Sequence, residues 1–91
     1  MINNKKGLIT LTNFTTKIEL GNDRDDEIKE ILAHVHAALV EKGYNPISQM
    51  VGYIMSGDPT YITSHKGARG MITRFERDEL LEVVFKEYLN K

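Results

Sequence analysis

Glu41-Lys42-Gly43-Tyr44-Asn45-Pro46-Ile47-Ser48-Gln49-Met50-Val51-Gly52-Tyr53-Ile54-Met55-Ser56-Gly57-Asp58-Pro59-Thr60-Tyr61-Ile62 sets two helix stops and two helix starts into one short run. Gly43 and Gly57 can each take the left-handed backbone that ends a helix. Asn45-Pro46 and Asp58-Pro59 each place a capping side chain ahead of a proline suited to the first helical turn. Punctuation this dense specifies short helices joined by tight turns. It brings no group suited to catalysis, so the run points to a binding or regulatory protein.

Before this run, Ile28, Ile31, Leu32, Val35 and Leu39 recur at helical spacing and make one apolar stripe. They predict a helix that follows Gly21-Asn22-Asp23 and stops at Gly43. Asp23, Asp25, Asp26 and Glu27 crowd its first turn, where the helix dipole favours acids. A second helix is predicted from Pro46 to Gly57, carrying Ile47, Met50, Val51, Ile54 and Met55. Asp58 to Ile62 leaves room for a single turn. Thr63 or Ser64 can cap the next helix, whose apolar side is Ala68, Met71, Ile72 and Phe75. Gly67 and Gly70 fall inside that pattern and cost it stability; they either admit a close backbone or mark a weak helix. The last stretch, with Leu80, Leu81, Val84, Phe85, Tyr88 and Leu89, is helical again. Either Asp78 caps it as a separate helix, or one helix runs unbroken from about 65 to 89; both readings fit.

The expected fold is therefore all-α, a compact bundle of four to five short helices over residues 23–91. Residues 1–22 lack helical periodicity. They hold Thr10, Thr12, Thr15 and Thr16 among Leu8, Ile9, Leu11, Phe14, Ile18 and Leu20. This β-branched content favours extended structure, but an isolated hairpin is marginal in water. The segment reads as a flexible Thr-rich arm, with a short strand at most. The final helix is rich in large apolar residues for so small a chain. A homodimer would cover that face; completion of the monomer core is the other reading.

Composition narrows the class. The 91 residues make one domain with a modest core. The absence of cysteine excludes disulfides and thiolate metal sites. No apolar run reaches the roughly twenty residues of a membrane span. Lys5 and Lys6 precede no apolar stretch of signal-peptide length, so a cytoplasmic location is expected. The formal net charge of -1 is unevenly spread. Lys66, Arg69, Arg74 and Arg77, against Glu76 alone, form a basic block between acidic blocks.

Candidate chemistry is sparse. His34 and His36 point to different faces of the first helix, and His65 is remote, so no metal site is expected. His34 is placed to meet Glu30 as an ordinary surface pair. Asp25-Asp26 and Asp78-Glu79 lie near helix starts, where acids serve as caps and dipole partners. No nucleotide-binding, nucleophile-elbow or zinc-protease motif is present, and no cofactor is called for. Lys66, Arg69, Thr73 and Arg77 fall at steps of three, four and four, which would place them on one side of a helix, flanked by Arg74. Arginine clusters bind phosphate and carboxylate by paired hydrogen bonds. A solvated face paired with the acidic helices is the plainer reading. An exposed threonine in the arm would suit a protein kinase, and a phosphate there would add about -1.5 to -2 charges.

The central run resembles the IreB/ReoM family of small cytoplasmic regulators. The likeness continues through Tyr61-Ile62, His65-Lys66, Ala68-Arg69, Ile72, Glu76-Arg77-Asp78-Glu79 and Tyr88-Leu89. It implies an all-helical homodimer with a flexible N-terminal arm. It implies phosphorylation by the membrane Ser/Thr kinase with PASTA repeats and dephosphorylation by the partner phosphatase. It further implies control of peptidoglycan synthesis, in part of the family through Clp-protease turnover of the first committed enzyme, an enolpyruvyl transferase. In the arm, Thr15-Thr16-Lys17-Ile18-Glu19-Leu20 fits the family's Thr-Met-Lys/Arg-Phe pattern with apolar replacements. Thr15 is the carried-over phosphoacceptor and Thr16 the alternative. His65, Arg69 and Arg77 match the family's functional positions and, with Lys66, form the expected partner-binding set. Ser64 and Thr73 stand where basic residues are typical. The competing class is a helix-turn-helix-like nucleic-acid-binding module built on a basic third helix. The net negative charge and acidic flanks make nucleic acid the poorer partner.

Overall fold

The computed structural model describes residues 22–90. The Thr-rich arm, with Thr15 and Thr16 and its expected strand, lies outside the described residues. Four α-helices are present among those described: α1 (Asn22–Glu41), α2 (Pro46–Ser56), α3 (Ala68–Ile72) and α4 (Arg77–Leu89). Short 3-10 turns at Pro59–Tyr61 and His65–Gly67 join α2 to α3. The all-α expectation is met, and no strand occurs among the described residues.

The turns follow the chemistry of the central run. At the end of α1 the Tyr44 N–H donates to the Leu39 carbonyl and the Gly43 N–H to the Val40 carbonyl. This pair of bonds requires a left-handed residue, and Gly43 supplies φ +83°. Asn45 Oδ1 accepts from the Ser48 N–H at 3.1 Å, capping α2 ahead of Pro46. Gly57 closes α2 at φ +74°. Asp58 Oδ1 then accepts from the Thr60 backbone at 2.9 Å and from its hydroxyl at 2.7 Å.

Helix α1 is the spine; α2, α3 and α4 all pack on it. Its buried residues Ile28, Ile31, Val35, Ala38 and Leu39 meet Tyr53, Ile62, Ala68, Ile72, Phe75, Leu80 and Val83. Full burial of such a side chain contributes about 1.5–3 kcal/mol. Arg24 fastens the start of α1 to the α3–α4 corner. Its guanidinium lies 4.7 Å from the Phe75 ring centroid and reaches both Glu79 oxygens, at 2.8 and 3.2 Å. Lys86–Asp25 at 2.6 Å and Lys29–Glu87 at 2.9 Å add exposed pairs between α1 and α4.

Several finer points are decided by the structure. Of the two readings for residues 65–89, the separate last helix is the one present, because the chain breaks at Thr73–Glu76. Glu76, not Asp78, occupies the N-cap position of α4. The reason is Phe75, which turns into the core and pulls the chain off the helical path. Gly67 lies outside the α-helix, at the end of the 3-10 turn, and is left-handed at φ +72° immediately before α3. An added Cβ at Gly70 would meet nothing within 4 Å, so no backbone approaches there. On α2 the buried residue is Tyr53, while Ile47, Val51 and Met55 are exposed.

Candidate functional site

The four basic candidates, His65, Lys66, Arg69 and Arg77, do not share one helix face. His65 and Lys66 lie in the 3-10 turn, Arg69 on α3, and Arg77 at the start of α4 beyond the Thr73–Glu76 break. A helix-turn-helix reading thereby loses its basic third helix, because α3 spans five residues. What gathers these side chains is the connection from α2 to α3: His65 and Lys66 belong to it, Arg69 bonds the Ile62 carbonyl, and Arg77 lies over Gly57.

Arg69 is half-buried, and its Nε–H donates to the Ile62 carbonyl at 2.8 Å. Arg77 Nη1–H donates to the Ile54 carbonyl at 2.9 Å, satisfying a last-turn acceptor of α2. The same guanidinium lies over Gly57, where an added Cβ would be 2.9 Å from Arg77 Cζ. Each arginine thus fixes a carbonyl with one group and retains further N–H donors for another acceptor. Asp58 follows Gly57 in the same connection. Its carboxyl is held below the usual range by hydrogen bonds from the Thr60 side chain and backbone, with the charge of Arg69 acting in the same direction.

His65 and Lys66 converge on Glu41 at the C-terminal end of α1. The His65 Nε2–H donates to Glu41 Oε1 at 2.8 Å, and Lys66 Nζ lies 3.1 Å from the same oxygen. The Glu41 carboxyl is lowered by the His65 hydrogen bond first and the Lys66 bond second. Seven residues earlier on α1, His34 Nε2 is 2.8 Å from the Lys66 carbonyl oxygen. A carbonyl only accepts, so this ring nitrogen carries the proton. The expected His34–Glu30 pair is replaced by this contact. Lys66 itself has φ +54°, the one positive-φ non-glycine among the described residues. Left-handed backbone costs such a residue about 1–2 kcal/mol. Arg74, the flanking base, pairs with Glu27 at 3.6 Å.

Sequence reasoning missed Glu41 and His34. They lie two helical turns apart on one face, but their partners are 24 and 32 residues away. The only local hint was the pair Gly67 and Gly70, which already weakened the helical reading there. Among the described residues no cluster of three or more His, Asp or Glu is placed to hold a metal ion. No described helix is long and apolar enough to cross a membrane.

A second surface is apolar. Ile47, Val51 and Met55 of α2 face Leu81 and Val84 of α4 across a groove of about 320 Å³, floored by Leu32, Ile54, Ile72 and Leu80. Met55 is 78% exposed and Phe85, beside the groove on α4, 54%.

The sequence matches the family described as IreB regulatory phosphoprotein over residues 13–90. It is also similar to a UPF0297 protein of Ruminiclostridium cellulolyticum, 62% identical over 77 residues. That alignment takes in 85% of this chain and 88% of the relative.

Proposed function

From the premise that this chain belongs to the IreB family of regulatory phosphoproteins, we propose that it is a non-enzymatic, cytoplasmic phospho-switch acting on peptidoglycan synthesis. The input is phosphorylation of the arm at Thr15, or at adjacent Thr16, by a PASTA-type Ser/Thr kinase, reversed by the partner phosphatase. The observation that carries this reading is the extent of the family match. It begins at residue 13, so it takes in Thr15 and Thr16 and leaves out Thr10 and Thr12.

The output is docking of an acidic partner surface on His65, Lys66, Arg69 and Arg77. Arg69 and Arg77 support this role because each is oriented by a backbone carbonyl and keeps donors for a carboxylate. A phosphate on the arm, with its charge and three acceptor oxygens, competes for the same groups. The partners are Clp protease and the enolpyruvyl transferase whose turnover it controls. The α2–α4 groove is covered by a second copy of the chain, making a homodimer; the exposed Ile47, Val51, Met55, Leu81 and Val84 support that reading.

The test is a pull-down of the Clp protease and the transferase by the full chain and by one double variant. Arg69 and Arg77 also hold the fold, so their substitution alone would mix two effects. Lys66→Ala combined with Arg77→Lys keeps a cation and the fold but removes the fork geometry. The expected result is loss of capture with unchanged helical circular dichroism. Full capture by this variant would take the basic groups out of the mechanism.

A further inference from the structure

The turn His65–Gly67 contains two consecutive left-handed residues, Lys66 at φ +54° and Gly67 at φ +72°. Only one of them is a glycine. A lysine remains in this region when its surroundings over-determine it. Here the surroundings can be counted from the contacts. The His34 N–H holds the Lys66 carbonyl at 2.8 Å, and Glu41 holds the His65 ring at 2.8 Å and the Lys66 ammonium at 3.1 Å. Both holding residues sit on one face of α1. Local bonds complete the turn: the Gly67 N–H donates to Ser64 O at 3.0 Å and the Arg69 N–H to Thr63 O at 3.1 Å. No described hydrophobic side chain of the turn is buried to hold it; burial resumes at Ala68.

We infer that His65–Gly67 is a two-state latch, closed while His34 and Glu41 of α1 hold Lys66 in left-handed backbone, and open when Lys66 relaxes to right-handed backbone. In the open state His65 and Lys66 leave Glu41. The turn then loses its paired left-handed residues, and the backbone of Gly67 and Ala68 shifts at the entry to α3. The latch stands on the geometry. Its use rests on the reading above: an acidic partner offers carboxylates in place of Glu41 and draws the latch open, so His34 and Glu41 act as positioning residues for the basic set.

The test reads backbone conformation in the full chain without any partner, so its failure leaves the phospho-switch reading untouched. Isotope-labelled protein is compared with the double variant His34→Ala and Glu41→Ala. Both substitutions are good helix formers in α1. The readouts are the one-bond Cα–Hα coupling of Lys66, which separates positive from negative φ, and the amide shifts of Ala68 and Arg69, the latter bonded across the turn to Thr63 O. The double variant is expected to move the Lys66 coupling into the negative-φ range and to displace both amides. Adding Lys66→Gly, which removes the cost of the left-handed state, is expected to bring both amides back toward their original positions. Retention of positive φ at Lys66 in the double variant would overturn the latch. Failure of Lys66→Gly to move the amides back would overturn it as well, because the displacement would then reflect lost side-chain contacts.

Discussion

Gly43 and Gly57 offer a matched pair for testing how Arg77 is used. Both end a helix in left-handed backbone, at φ +83° and +74°. Alanine in that region costs about 1–2 kcal/mol at either position. Only Gly57 has a neighbour: its added Cβ would lie 2.9 Å from Arg77 Cζ and 3.1 Å from both terminal nitrogens, whereas nothing lies within 4 Å at Gly43. Gly57→Ala must therefore also displace the guanidinium from the Ile54 carbonyl. A hydrogen bond of this kind contributes a net of roughly 0.5–1.5 kcal/mol, and the exposure of Arg77 argues for the lower end of that range. The expected losses are about 1–2 kcal/mol for Gly43→Ala and about 0.5 kcal/mol more for Gly57→Ala. For a domain of this size, each kcal/mol moves the melting temperature by about 4–8 °C. Thermal and urea unfolding of the two variants measure the difference. A double-mutant cycle with Arg77→Ala assigns it, since the extra loss should vanish once the guanidinium is gone. Equal losses at the two glycines, or a difference that survives Arg77→Ala, would refute the placement of Arg77 over Gly57.

Other consequences can be checked separately. In an NMR titration the Glu41 carboxyl should titrate below its ordinary value of 4.5, and His65→Ala should move it back up. Because its folded value is lowered, its contribution to stability is present above the unfolded value and fades as pH falls through the folded one. If the proposed homodimer forms, Val51→Glu with Val84→Glu, at exposed groove positions, should convert it to a monomer in sedimentation, with helical content kept; a monomeric unsubstituted chain, or a dimer that survives both changes, would remove the groove from that role. Arg24→Ala removes the fork to Glu79 and the stacking on Phe75, and should lower stability by about 1 kcal/mol in denaturant unfolding, as expected of exposed contacts.

How much could be read in advance follows the range of the interactions. The ends of α1 and α2 depend on Gly43, Asn45-Pro46 and Gly57, whose caps bond within a few residues, so the sequence displays them. Of the stripe Ile28, Ile31, Leu32, Val35 and Leu39, four residues are core as expected and Leu32 packs half-buried against them, because one helix face buries against everything else. Apolarity does not single out Tyr53 on α2, because Ile47, Val51 and Met55 are more apolar yet exposed, while Met50 and Ile54 are only partly buried. No proline or left-handed glycine marks the break at Thr73–Glu76; Phe75 makes it by entering the core, a tertiary effect. The same applies to the basic set. Spacing placed Lys66, Arg69 and Arg77 on one helix, whereas contacts to Glu41, Ile62 O and Ile54 O distribute them around a connection. Those contacts span 7 to 25 residues and leave no local trace.

The central claim is a phosphate input on the arm, and mass spectrometry tests it most directly. The full chain is incubated with a PASTA-type kinase domain and ATP, and intact and fragment masses are read. The account predicts one phosphate on Thr15 or Thr16, absent from the Thr15→Ala, Thr16→Ala double variant. An arm that takes up no phosphate, or takes it only at Thr10 or Thr12, would contradict it.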